Sequence, residues 1–201
     1  MGTRNLTMVI SEGKTKIAQY GQWDGYPDGQ GTRALHFLLS CDFNKFKEKL
    51  SLCRFIENGS RKEKEIENFL EKIGSINGGL TMEQSEKYHK KYPFLTRDNG
   101  ATILELIYES DDELKWLYNS TDFAADSLFC EWAYVIDFDK NTFEVYEGFN
   151  STPLTENDRF HHLTGENDYQ PIKMVKMYDL YNLPSVPEFI NYFQSVKKEE
   201  V

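Results

Sequence analysis

Short apolar segments and polar turns alternate at the start of the chain. Residues 5–10 and 15–20 are rich in β-branched and other apolar side chains, and the Ser-Glu-Gly-Lys sequence between them favours a tight turn. The pattern predicts an N-terminal β-hairpin over residues 5–20. The second strand continues into a glycine-rich segment, which we therefore expect at the end of a rigid strand.

The apolar positions of the next part of the chain recur every three or four residues, the spacing of amphipathic helices. This predicts a helical insertion over about residues 33–108. The first expected helix covers residues 33–40, with Thr32 or Gln30 as the cap. A helical run over residues 42–91 begins at Asp42, breaks near residues 58–60 and again at residues 76–80, and restarts at Thr81. A further short helix is expected at residues 101–108.

The last third of the chain returns to strand patterns. Residues 129–138 alternate, with one expected apolar face and a second face that carries Glu131 and Asp137; the apolar face is Cys130, Trp132, Tyr134, Ile136 and Phe138. A turn at residues 139–141 leads to a second strand. After a polar segment over residues 148–170, the pattern predicts a strand at 172–180 and a helix at about 186–197.

These elements predict an α+β fold in a single domain of 201 residues. The expected sheet is largely antiparallel, is built from the N-terminal hairpin, the central hairpin at residues 129–147 and the C-terminal strand, and is covered by the inserted helices. Aromatic residues make up 14% of the chain, which allows a modest apolar fraction of 39% to bury a sizeable core.

Charge and cysteine content restrict the classes of function. A net charge of −10 argues against general nucleic-acid binding and favours either solubility or a partner with a basic surface. Cys41, Cys53 and Cys130 form no CxxC pair, which indicates a reducing compartment. Because no secretory leader and no stretch of about 18 apolar residues is present, we expect a soluble cytoplasmic protein without a membrane partner.

The glycine-rich segment over residues 19–33 combines four glycines, one proline, two aspartates and three aromatic residues. This composition is typical of a loop that holds a ligand. The predicted ligand-binding residues are Arg4, Trp23, Asp24, Gly25, Tyr26, Gly29, Gly31 and Arg33. The glycine N–H groups and the following helix start would cradle an anion, the aromatic rings would stack on a base, and Arg4, Lys16 and Arg33 would add positive charge.

A structural loop is the alternative interpretation of the same segment. In that case Asp24 caps a turn, Pro27 fixes the backbone and Trp23 fills the core. The segment is neither a Walker A motif, which ends in Gly-Lys-Ser/Thr, nor a dinucleotide fingerprint, which needs a parallel strand-turn-helix unit.

The opening MGTRNLT, the sequence YGQWDGYPDGQG at residues 20–31 and the hairpin over residues 132–148 resemble a family of uncharacterised proteins from phages, prophages and bacteria. The resemblance is specific over about the first 40 residues and looser across the helical middle. It implies a small accessory protein of an early phage gene, a group in which inhibitors of host defence are common, and it assigns no residue a role.

Other candidate chemistry is weak. Thr3 would become an N-terminal nucleophile only after a cleavage beyond the removal of Met1. His161 and His162 lie beside Glu156 and Asp158 and would need His36 or His89 to bind a metal, but adjacent histidines point apart, and we expect a surface pair. Cys130 is expected to be buried rather than nucleophilic. We therefore predict no catalytic residue, no metal ligand and no cofactor.

An acidic cluster at residues 109–113 supports a second hypothesis. Asp111, Asp112 and Glu113 would imitate a nucleic-acid backbone and bind the basic groove of a host defence enzyme, or they are ordinary solvated surface. The first hypothesis remains a phage-type anti-defence protein, with a homo-oligomer as one possibility, that sequesters a nucleotide-like immune signal. A hydrolase that acts on an amide or a nucleotide is a third.

Overall fold

A five-stranded sheet lies at the centre of the computed structural model, which describes residues 2–75 and 79–199. The strands are β1 (Asn5–Ser11), β2 (Lys14–Gly21), β3 (Cys53–Phe55), β4 (Lys115–Leu117), β5 (Trp132–Asp137), β6 (Thr142–Glu147) and β7 (Lys173–Asp179). The helices are α1 (Thr32–Ser40), α2 (Phe43–Ser51), α3 (Arg61–Lys72), α4 (Met82–Lys91), α5 (Thr102–Glu109) and α6 (Val186–Glu199). This architecture confirms the predicted α+β fold class.

The sheet has the strand order β2-β1-β5-β6-β7. Strand β1 is antiparallel to β2, β5 to β6 and β6 to β7, whereas β1 and β5 are parallel neighbours. The sheet is therefore largely antiparallel, as predicted. The long crossover that contains α1–α5 makes the parallel pair possible, because parallel strands cannot be joined by a tight turn.

The predicted helical run over residues 42–91 is wrong at residues 53–55, and its predicted break at residues 76–80 lies partly outside the described residues. Cys53–Phe55 form β3, which pairs in parallel with Lys115–Leu117 of β4. This pairing joins segments about sixty residues apart, so local periodicity gives no sign of it. The helix caps on either side agree with the sequence. Asp42 accepts hydrogen bonds from the backbone N–H groups of Asn44 and Lys45, and Ser60 accepts one from that of Glu63.

Helices cover one face of the sheet. Val9, Tyr134 and Ile136 lie on this face and belong to one buried cluster with side chains of α1, α2, α5 and α6. The helical contribution to the cluster includes Leu35, Phe37, Leu38, Phe46, Leu50, Ile103, Leu104, Ile107, Phe189 and Phe193. Phe46 and Leu50 are fully buried, so these two side chains attach α2 to the core although the helix is rich in lysine.

The opposite face of the sheet is also buried, which corrects the expected polar face of residues 129–138. Ala133 and Val135 lie in a second buried cluster with Leu6, Met8 and Phe160. Cys130 belongs to this second cluster and not to that of Trp132, because it precedes β5 and does not follow the alternation of the strand. The segment that follows β6 has no helix or strand, as predicted, and it covers this face through Leu154, Phe160 and Leu163.

A buried charge network attaches this segment to the sheet. The Arg159 guanidinium lies 2.7 Å from carboxylate oxygens of both Asp137 and Glu144. Burial by itself raises the pKa of Glu144, but hydrogen bonds from Arg159, Tyr146 and Thr142 outweigh it and hold that pKa below its usual value. The two carboxylates are almost fully buried, so their charges depend on Arg159 for compensation.

The hydroxyl of Thr7 in β1 is buried without a hydrogen-bond partner among the described residues. Thr7 lies in the core. A buried hydroxyl without a partner loses its hydration and gains nothing in return.

Among the described helices, none has both the length and the apolar composition that a membrane span requires.

We expect Arg159→Met to lower the free energy of unfolding by about 3–5 kcal/mol at pH 7, because it leaves two buried carboxylates unpaired. The depressed pKa of Glu144 stabilises the native protein above the unfolded carboxyl pKa, and this contribution is lost as the pH falls through the native value. Urea unfolding at pH 7 and pH 3.5 should therefore show a smaller difference between variant and wild type in acid. The triple variant with Asp137→Asn and Glu144→Gln should recover much of the loss. An equal loss at both pH values would contradict this assignment.

We expect Thr7→Val to leave the free energy of unfolding unchanged or to raise it by about 1–2 kcal/mol, because valine has the same shape without the unpaired hydroxyl. Thr142→Val is the matched control. Its hydroxyl donates a 2.8 Å hydrogen bond to Glu144 Oε1, so this variant should lose about 1–3 kcal/mol. Chemical denaturation measures both effects, and a clear destabilisation by Thr7→Val would show that its hydroxyl does have a partner.

Candidate functional site

The glycine-rich loop leaves β2 and turns back across the start of β1. Asp24 has a φ of +54°, a left-handed conformation that aspartate tolerates better than most residues. The N–H of Gly25 then donates to the carbonyl of Thr3 at 3.0 Å. The chain continues through a π-helical turn at Pro27–Gly31 directly into α1.

The start of α1 differs from the prediction. Gly31 occupies the cap position in a helical conformation, and no side chain caps the helix. The Thr32 hydroxyl donates to the carbonyls of Asp28 and Gly29. The Gln30 side chain bonds to the backbone of Trp23 and Ala101 and does not cap the helix. Because the π-helical turn supplies the preceding backbone, α1 has no free N-terminus at this position.

The backbone amides that would form the predicted anion cradle are engaged within the loop. The N–H groups of Gly29 and Gly31 donate to the carbonyl of Tyr26, and that of Gly25 donates to Thr3. An N–H group that already donates to a carbonyl does not recognise a phosphate. The loop therefore does not form the cradle that its glycine spacing predicts.

The loop rests on the sheet through Tyr134. The Tyr134 hydroxyl donates to the carbonyl of Gly25 at 2.7 Å, and a Cβ on Gly31 would lie 2.8 Å from the Tyr134 ring. Gly31 is therefore needed for close approach. Burial raises the pKa of the Tyr134 hydroxyl well above its ordinary value, so it remains a hydrogen-bond donor.

A second set of contacts joins the loop to the segment that leads into α5. The backbone N–H of Gln22 donates to the carbonyl of Arg97 at 3.1 Å, and Trp23 Nε1 donates to Asp98 Oδ1 at 3.0 Å. The side chain of Gln30, which is 8% exposed, donates to the Trp23 carbonyl and accepts from the Ala101 N–H at 2.7 Å. These bonds fix the loop relative to α5.

The loop, α1 and α5 line an open groove of about 480 Å³, a size typical of small-molecule sites. Its lining residues are Asp24, Asp28, Gly29, Gln30, Thr32, Arg33, His36 and Glu105. Arg33 spans the groove wall: its Nη1 donates to Thr102 Oγ1 at 3.0 Å and lies 3.8 Å from Glu105 Oε2. Exposed ion pairs of this length contribute little to stability, so Arg33 remains available to a ligand.

The groove is acidic. Asp24, Asp28 and Glu105 contribute three carboxylates, against one guanidinium from Arg33. The carboxylates of Asp24 and Asp28 form no hydrogen bond or ion pair with the described residues, whereas Glu105 has the long contact to Arg33. Three carboxylates disfavour a polyanionic ligand and favour amino and hydroxyl groups.

The predicted binding residues fall into four groups, of which Arg4 is one by itself. Asp24, Gly29 and Arg33 line the groove, whereas Gly25 and Gly31 act in the backbone of the loop. Two predicted aromatic residues, Trp23 and Tyr26, are 51% and 44% exposed and are not among the residues that line the groove. Trp23 therefore does not fill the core, which corrects the structural interpretation of the loop.

Arg4 does not join the other predicted residues at the groove. Its guanidinium carbon lies 4.5 Å from the centre of the Phe129 ring, and its backbone N–H faces Glu131. The sequence analysis missed five groove residues, Asp28, Gln30, Thr32, His36 and Glu105. The three-residue spacing of Arg33 and His36 on α1 would have indicated a shared face, but nothing local indicates Glu105.

The acidic cluster at residues 109–113 is partly neutralised by two lysines. Lys115 is 2% exposed, and its ammonium group contacts the Asp111 carboxylate and the carbonyls of Asp111 and Glu113. Lys49 lies 2.6 Å from Asp112 Oδ1 and 2.5 Å from the carbonyl of Ser110. Hydrogen bonds from these lysines lower the pKa values of Asp111 and Asp112. The cluster serves as an internal cation site for the chain's own lysines, which weakens its similarity to a nucleic-acid backbone.

The remaining candidates have structural environments. His161 and His162 are exposed with ring centres 5.9 Å apart, and within residues 2–75 and 79–199 no group of three or more potential ligands would hold a metal ion. Thr3 is 8% exposed beneath the loop. Cys130 is fully buried, as predicted, and burial raises its pKa; all three cysteines are free thiols.

Comparison of the chain with protein-family models, with curated proteins and with solved structures found no match.

We expect Gln30→Leu to lower the free energy of unfolding by about 2–4 kcal/mol, because leucine leaves the Ala101 N–H and the Trp23 carbonyl without partners. Denaturant unfolding measures the loss, and amide exchange at Ala101 should accelerate. Asn191→Leu on the exposed side of α6 is the control and should change stability by less than about 0.5 kcal/mol. Equal stability of the two variants would show that Gln30 does not join the loop to α5.

Proposed function

We propose that this protein binds a small polar molecule in the groove formed by the glycine-rich loop, α1 and α5. The observation that supports the proposal is the convergence of side chains with free hydrogen-bonding capacity on one concave surface. Asp24 and Asp28 have carboxylates without partners, and Arg33 has only weak exposed contacts. A purely structural loop has no need to collect such groups around a cavity of about 480 Å³.

The ligand that we propose is nucleotide-like in size and hydrogen bonding, but it carries at most one anionic group. Arg33 would bind that group, since guanidinium groups suit carboxylate and phosphate oxygens. The carboxylates of Asp24, Asp28 and Glu105 would accept hydrogen bonds from ribose hydroxyls or from amino groups. A polyphosphate chain would face three carboxylates with one guanidinium, which disfavours it.

Trp23 and Tyr26 would cover the open side of the bound molecule. Both rings are about half exposed and belong to the loop that lines the groove. Aromatic rings add stacking contacts without any need for charge. The phage-type, anti-defence role remains a prediction from the sequence resemblance. A protein with that role would sequester a host signal molecule by binding it, without any need for catalysis.

The inhibitor hypothesis based on Asp111, Asp112 and Glu113 has less support. Two of these carboxylates are hydrogen bonded to Lys49 and Lys115, so a basic partner would have to compete with intramolecular ammonium groups. A hydrolase has no support from the geometry, because the groove pairs no nucleophile with a base.

We expect native mass spectrometry to detect an added mass of a few hundred daltons after the protein is incubated with the small-molecule fraction of a bacterial lysate. Denaturation should release it. Arg33→Ala and Asp28→Asn should each reduce the bound fraction about ten-fold, because each removes a charge-assisted hydrogen bond. Their matched controls, Arg61→Ala and Asp122→Asn, change exposed residues outside the groove and should bind as wild type. No added mass, or equal binding by all four variants, would remove the groove as the site.

A further inference from the structure

A second surface with exposed aromatic residues lies at the end of the sheet where β5 begins and β6 ends. Phe149 is 53% exposed and Phe129 is 38% exposed. The Tyr169 ring lies 6.1 Å from that of Phe149 in an edge-to-face arrangement. We call these three residues, with the loops that carry them, the sheet-end surface.

Backbone hydrogen bonds hold the sheet-end surface together. The N–H of Gly148 donates to the carbonyl of Glu131 at 2.9 Å, and the N–H of Phe149 donates to that of Ser127 at 2.7 Å. The loop at residues 126–131 is thereby fixed against the end of β6. The two exposed phenylalanines consequently stand on one rigid frame and not on separate mobile loops.

The sheet-end surface is acidic. Its loops carry four carboxylates, at Asp126, Glu131, Glu166 and Asp168. The contacts of the first two within the chain are long: Asp126 accepts from Asn167 at 3.4 Å, and Glu131 accepts from the backbone of Arg4 at 3.3 Å. Glu147 and Lys173 are partners in the β6–β7 register, and one negative and one positive charge add no net charge to the surface. The surface therefore combines apolar rings with a surplus of negative charge.

The protein itself already places one guanidinium group on this surface. The Arg4 guanidinium carbon lies 4.5 Å from the centre of the Phe129 ring, well inside the range of a cation–π contact. Rings with a negative face, surrounded by carboxylates, attract further cationic side chains for the same reason. The neighbouring Phe149 ring has no such cation within the described residues.

Phe149 also has an unfavourable backbone conformation. Its φ is +52°, in the left-handed region that a bulky residue rarely adopts. Glycine or asparagine would satisfy this backbone at lower energy. A large apolar residue with a strained backbone and an exposed side chain contributes little to folding. A binding role would explain why phenylalanine stands at this position.

We propose that the sheet-end surface binds a basic polypeptide segment, with an arginine side chain over Phe149, next to the Phe129 ring that Arg4 already covers, and with its charge against the neighbouring carboxylates. Charge complementarity selects this class of partner, since the four carboxylates would repel nucleic acid. The proposal is independent of the groove ligand, because the two sites share no residue.

Fluorescence anisotropy with a labelled hexa-arginine peptide tests the proposal on the full-length protein. Wild type should bind the peptide, and Phe149→Gly should weaken binding about five- to ten-fold. Glycine also relieves the strained φ at position 149, so a loss of affinity there does not come from unfolding. Tyr181→Ala is the matched control: Tyr181 is 74% exposed and follows β7 at the opposite end of the sheet, and this variant should bind as wild type.

Two results would overturn the proposal. The first is an affinity for hexa-arginine that is the same in wild type and in the Phe149→Gly variant, which would show that only the net charge of −10 attracts the peptide. The second is the absence of binding to wild type in 50 mM salt, where electrostatic contacts are only weakly screened, at about a 14 Å screening length.

Discussion

The buried ring of Tyr134 controls how the glycine-rich loop lies on the sheet. The ring stands on the helical face of β5, its hydroxyl holds the carbonyl of Gly25, and Gly31 passes so close that a Cβ would collide with the ring. Because the loop rests on Tyr134, the side chain of Gln30 reaches Ala101 and positions α5 beside it. The groove lies between the loop, α1 and α5, so its shape depends on the contact between Tyr134 and the loop.

Backbone hydrogen bonding inside the loop decides which groups are left for recognition. A glycine-rich loop before a helix suggests an anion site, but here the amides of Gly25, Gly29 and Gly31 are bonded to carbonyls. Side chains therefore determine the chemistry of the groove, and most of its charges are carboxylates. The same composition that suggests phosphate binding thus supports a ligand rich in amino and hydroxyl groups.

The two faces of the sheet are covered in different ways. Helices bury one face with apolar side chains, whereas the segment after β6 is attached to the other face by Arg159 between Asp137 and Glu144. A segment without helix or strand has few backbone hydrogen bonds that fix its position. The buried ion pairs of Arg159 supply such a contact between this segment and the sheet. The glycine loop belongs to the helical side, and the sheet-end surface with Phe149 is built from loops that adjoin the other side.

The sequence alone determined the α+β class, both main hairpins, the C-terminal strand and helix, and the position of the glycine-rich loop between a strand and a helix, because period and turn composition are local properties. It also located Asp24, Gly29 and Arg33 within that loop, whereas Glu105 of the same groove comes from a distant helix. Only the tertiary structure showed that β3 pairs with β4, that both faces of β5 are buried, and that Lys49 and Lys115 neutralise the acidic cluster. These features depend on contacts between residues far apart in the chain, and no local pattern records them.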